Sequence, residues 1–145
     1  MSEATVKSLF DMTGRTALVT GASGHLGGAL ARALAEAGAT VVAASRELSR
    51  AEHVASSLPG DGPHYGVEIN QLDEDSIRSG FAAAVDAAGA VDVVVNNGQQ
   101  GHALDLTDVT ADAFNQDLQN ATGYFLLART LRDHVVSRSA PGCVV

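Results

Sequence analysis

Thr16-Ala17-Leu18-Val19-Thr20-Gly21-Ala22-Ser23-Gly24-His25-Leu26-Gly27 is the stretch that decides the fold. Its first five residues are short and almost continuously apolar, the pattern of a strand buried on both faces of a parallel sheet. Glycines follow at once, and from Leu26 the apolar residues Leu26, Ala29, Leu30, Ala33, Leu34 and Ala37 recur at helical spacing until Gly38. Strand, glycine turn and helix in that order point to a site for a dinucleotide. Gly21 permits the tight turn, Gly24 lets the backbone approach a pyrophosphate, and Gly27 lets helix and strand pack closely. The helix N-terminus offers its unpaired N–H groups to the phosphates. Gly21, Ser23, Gly24, His25, Leu26 and Gly27 are therefore the expected phosphate-binding residues.

The unit repeats downstream. Thr40 to Ala44 reads as a second strand, Leu48 to Leu58 as a helix ended by Pro59-Gly60, and Tyr65 to Ile69 as a third strand. Asp73 is placed to cap a helix with Glu74 and Asp75 in its first turn and Ile77, Phe81, Ala84, Val85 and Ala88 on its core face, ended by Gly89. Val91 to Val95 is the most apolar strand and leads into the polar loop Asn96-Asn97-Gly98-Gln99-Gln100-Gly101-His102. Thr110 is placed to cap a long helix to about Val136, with Phe114, Leu118, Ala121, Phe125, Ala128 and Arg132 along one face. Gly142 to Val145 starts a fifth strand. Alternating strands and helices define an α/β, doubly wound parallel sheet of the Rossmann type, in one domain over residues 1–145, reaching about five strands.

Composition narrows the function. With 9 basic and 17 acidic residues the net charge is −8, which disfavours nucleic acid as a partner. No apolar run approaches the about 18 residues of a membrane span, and Met1 to Gly14, with Glu3, Lys7 and Asp11, holds no apolar core of signal-peptide length. The single cysteine, Cys143, excludes an internal disulfide and is expected as a buried small hydrophobe in a cytoplasmic protein. His25 is placed to donate to a phosphate; His53, His64, His102 and His134 show no metal-ligand spacing and read as surface residues.

At the end of the second strand, where an acid would take both hydroxyls of an NAD ribose, stands Ser45-Arg46. A guanidinium fork with a neighbouring hydroxyl suits a 2′-phosphate, so NADP(H) is expected and NAD is disfavoured. The bland alternative pairs Arg46 with Glu47 or Glu52.

Spaced as they are, the glycines resemble those of the short-chain dehydrogenase/reductase family, whose main branch begins Thr-Gly-x-x-x-Gly-x-Gly and whose extended branch has Gly-x-x-Gly-x-x-Gly. His25 stands where the main branch has its middle glycine, yet Asn96-Asn97-Gly98-Gln99 resembles that branch's Asn-Asn-Ala-Gly, and Asn120-Ala121-Thr122-Gly123-Tyr124-Phe125 its Asn-x-x-Gly-x-Phe. The resemblance implies cofactor contacts by Asn97 and Gly98, in a loop loosened by the exchange of alanine and glycine for Gly98 and Gln99. It also places Asn70-Gln71 where the family has an aspartate-hydrophobic pair beside the adenine. Asn120 matches the helix asparagine that holds a water in the family's proton relay, with Ala121 as its rival.

The family's hydride transfer on an alcohol or carbonyl further uses a serine after the fifth strand and a Tyr-x-x-x-Lys pair. Lys7 is the one lysine here, and Tyr65 and Tyr124 are followed four places on by Ile69 and Ala128. The expectation is an N-terminal portion of an NADP(H)-dependent oxidoreductase, whose Ser, Tyr and Lys would follow Val145, acting on a small-molecule substrate as a homo-oligomer. The alternative is a non-catalytic nucleotide-binding or interaction module that completes its sheet with a partner chain.

Overall fold

The computed structural model describes residues 5–145. Part of the Met1 to Gly14 reading thus lies outside the described residues. A short α1 (Val6–Leu9), capped by Thr5 and not foreseen from the sequence, precedes the alternating units. These are β1 (Thr16–Val19), α2 (His25–Glu36), β2 (Thr40–Ser45), α3 (Leu48–Ser57), β3 (Tyr65–Glu68), α4 (Glu74–Ala88), β4 (Val93–Val95), α5 (Ala111–Ser137) and β5 (Cys143–Val144).

All strand pairs are parallel, in the order β3-β2-β1-β4-β5. Chain order reverses between β1 and β4, which makes the crevice beyond their C-terminal ends the topological switch point. Successive strand residues face opposite sides. Ala17, Val19, Val41 and Ala43 pack with Ala31, Ala35 and Ala55 of α2 and α3. Leu18, Val42 and Ala44 pack with Ile77, Phe81 and Ala84 of α4 and Leu127, Leu131 and Val135 of α5.

Local signals set the ends of α4 and α5 as read. Asp73 accepts from the amides of Asp75 and Ser76, and Gly89 closes α4 in the left-handed region at φ 79°. Thr110 caps α5 through the amide of Ala113.

Two helix faces differ from the reading. The α2 spine is Gly27, Ala31 and Ala35, with Leu30 and Leu34 half-buried beside it, while Leu26 is 64% exposed. On α5 the inner face is Ala113, Asn120, Gly123, Leu127, Leu131 and Val135, and Phe114, Leu118 and Phe125 point outward. Small residues face inward where each helix runs closest to the loops beneath it: a Cβ on Gly123 would strike the carbonyl of Gln71, in the loop after β3. Cys143 is exposed rather than buried, since β5 pairs with β4 alone and its faces are uncovered. Nor are the histidines all surface groups. His64 Nδ1 accepts from the amide of Val41 at 3.0 Å, and His134 Nε2 from that of Val91 at 3.2 Å. No helix among the described residues is long and apolar enough to cross a membrane.

Candidate cofactor cleft

A cleft of about 420 Å³ opens at the switch point. The turn residues singled out between Gly21 and Gly27 line it, together with Ser45, Arg46, Asn70, Gln71, Asn97 and Gly98. Three βα loops and the end of β2 thus converge on one space.

The floor is the glycine turn. Gly21 adopts φ 63°, a left-handed conformation that favours glycine, and Gly24 is the N-cap of α2. No side chain caps that helix and no acid sits in its first turn, so nothing in the turn competes with a phosphate for the amides. A Cβ on Gly27 would lie 2.6 Å from Asn97 Nδ2 and against the carbonyl of Gly21. Helix and turn therefore touch through backbone, with the Asn97 side-chain amide of the loop after β4 packed against both.

Thr20 ties that loop down. Its Oγ1 accepts from the amides of Asn97 at 3.1 Å and Gly98 at 2.9 Å while donating to the carbonyl of Val95. Asn97 Nδ2 donates to the carbonyls of Thr20 at 3.0 Å and Gly21 at 3.3 Å, so its amide braces the turn. Tyr124 of α5 donates its hydroxyl to the carbonyl of Gly98 at 2.8 Å. The exchange to Gly98 and Gln99 has not left the loop untethered. Thr20 and Tyr124 escaped the sequence reading because each acts through a backbone partner more than 25 residues away.

On the β3 side of the cleft, Asn70 Oδ1 accepts from the amide of Leu72 at 3.2 Å, an Asx turn that shapes the wall. Gln71 is buried, and its Nε2 donates to Asn120 Oδ1 at 2.7 Å. Asn120 stands behind the cleft and holds Gln100 by backbone on both sides, accepting from its amide at 2.9 Å and donating to its carbonyl at 2.6 Å. With a further bond to the carbonyl of Asp117, the side chain's donors and acceptors are taken.

At the far end, Ser23 Oγ and Ser45 Oγ lie 3.1 Å apart. Arg46 pairs with neither Glu47 nor Glu52. Glu47 binds Arg50 at 2.9 Å, and Arg46 Nη1 reaches across to Gln100 Oε1 at 3.2 Å. In a chain of net charge −8, no carboxylate among the described residues lines the cleft.

Such a sheet, with a glycine turn and uncapped helix at its switch point, is the arrangement that dinucleotide-binding α/β folds share. The short chain dehydrogenase family matches residues 15–145, and this chain belongs to that family. D-threitol dehydrogenase of Mycolicibacterium smegmatis is 30% identical over 124 residues, which are 84% of this chain and 48% of that protein. A short-chain type dehydrogenase/reductase from Mycobacterium marinum superposes with a TM-score of 0.87 at 29% identity, over 97% of this chain and 58% of that one. A gluconate 5-dehydrogenase from Burkholderia cenocepacia, solved with NADP and tartrate, gives 0.82 at 27% identity, over 92% and 53%. The chain thus spans about half the length of these relatives.

Proposed function

We propose that the cleft binds NADP(H) in preference to NAD(H), and that the chain is the cofactor-binding part of an oxidoreductase acting on a small alcohol or carbonyl substrate. One observation carries the cofactor choice: this end of the cleft offers Ser23, Ser45 and Arg46 and, among the described residues, no carboxylate. A ribose diol is best held by an acid, whereas a 2′-phosphate dianion wants a guanidinium and hydroxyl donors. The NADP held by the Burkholderia relative supports the same reading.

Bound there, the nicotinamide would give or take a hydride. This chain's own residues bind and orient. The α2 amides and Gly24 seat the pyrophosphate, Arg46 and Ser45 hold the 2′-phosphate, and Asn70 and Gln71 wall the adenine. Asn120 serves as a positioning residue, fixing Gln71 and Gln100 from behind.

Cytoplasmic location and self-association belong to the same reading. The second rests on Phe114, Leu118 and Phe125, each more than half exposed on one side of α5. Arg46→Asp tests the cofactor claim: NADPH affinity should fall at least about tenfold while NADH affinity holds or rises. Equal loss of both would refute the 2′-phosphate assignment.

A further inference from the structure

Gln100 faces Arg46 across the mouth of the cleft, from an anchored backbone. Its amide and its carbonyl are both held by the side chain of Asn120, which is only 5% exposed and is itself fixed by Gln71 and the carbonyl of Asp117. From that fixed base, Gln100 Oε1 accepts one hydrogen bond from Arg46 Nη1 at 3.2 Å. Arg46 makes no ion pair among the described residues, since its neighbour Glu47 is bound to Arg50. A guanidinium carries five N–H donors in a rigid plane, so one tether to Gln100 orients the plane and leaves the others for an anion.

We propose that Gln100 is a positioning residue for cofactor selection, holding the Arg46 guanidinium over the adenosine end of the cleft so that a 2′-phosphate meets a donor group already in place. The inference rests on the NADP(H) reading above. A neutral amide suits this task. A carboxylate at position 100 would neutralise Arg46 and repel the phosphate, and an apolar side chain would leave a long, flexible arginine to be ordered by each ligand. Pre-ordering a rotamer-rich side chain strengthens binding by removing that entropic cost from the association step.

The probes are adenosine 2′,5′-bisphosphate and AMP, which differ only in the 2′-phosphate, titrated calorimetrically into the wild-type protein, Arg46→Ala, Gln100→Met and the double variant. Gln100→Met keeps the side chain's length and removes its acceptor. The expected result is a loss of about three- to tenfold in bisphosphate affinity with AMP unchanged, and no further loss when Gln100→Met is added to Arg46→Ala. Gln100→Glu should lose more than Gln100→Met. If Arg46→Ala weakens the bisphosphate but Gln100→Met does not, or weakens AMP equally, the role of Gln100 is overturned while the cofactor reading stands. If Arg46→Ala itself leaves the bisphosphate unaffected, the NADP(H) reading fails and takes this role with it.

Discussion

Gln71 and Asn120, one after β3 and the other in the middle of α5, meet amide to amide at 2.7 Å in a buried contact. Two loops of the cleft and the longest helix are locked together at that point. Removing the amide in Asn120→Ala strands Gln71 Nε2 and both backbone groups of Gln100. Each unmatched buried polar group costs about 1–3 kcal/mol, with water recovering part of it at the exposed Gln100. A net loss of roughly 2 kcal/mol in urea unfolding is expected. Unchanged stability would show that the contact contributes nothing.

Gly98 is small because Gln71 is there. A Cβ on Gly98 would strike Gln71 Oε1, so Gly98→Ala must displace the Gln71 amide from Asn120. Overpacking of this kind costs about 1–3 kcal/mol. Replacing Gln71 by valine in the same chain frees the space, and the double variant Gly98→Ala/Gln71→Val should be more stable than the two single losses added together, by about 1 kcal/mol. Strict additivity of the two changes in a double-mutant cycle would contradict this packing relation.

Acid should loosen the end of α5. His134 Nε2 accepts from the Val91 amide and lies 2.9 Å from Arg138 Nη1, with the Phe81 ring edge-on to the imidazole. Burial, and then the Arg138 charge, hold the imidazole pKa below the ordinary 6.5, with Asp92 opposing them. The unfolded chain therefore binds the extra proton first as pH falls. Stability is fully present above about pH 6.5 and declines as the pH drops from there to the lowered folded value. His134→Gln keeps an acceptor for Val91 and removes the titration. Urea midpoints compared at about pH 7.5 and 5.5 should fall further in the wild type than in this variant, and parallel falls would assign the acid sensitivity elsewhere.

Much of this was legible in the sequence, for physical reasons. The buried strands carry continuous apolar runs, the turn needs glycine at Gly21 and Gly27, and Asp73, Gly89 and Thr110 act locally on the backbone beside them. The residues read as lining the cofactor site came together because all lie at the C-terminal ends of neighbouring parallel strands.

What escaped the reading depends on tertiary distance. The α5 stripe of Phe114, Leu118 and Phe125 has helical period, but period alone does not say whether a stripe faces its own sheet or outward. Asn120 and Gly123 turn inward because Gln71 runs so close to them that only small or hydrogen-bonding residues fit. The bond from Arg46 to Gln100 joins residues 54 positions apart, and no local pattern encodes it.

Titrating NADPH and NADH separately into the wild-type protein, followed by the enhancement of nicotinamide fluorescence, distinguishes a cleft that selects the 2′-phosphate from one that does not. Saturable binding of NADPH, at least about tenfold tighter than NADH, is the expected result, since a charge-assisted fork on a 2′-phosphate is worth about 1.4 kcal/mol or more. NADH binding as tightly as NADPH, or neither cofactor binding, would contradict it.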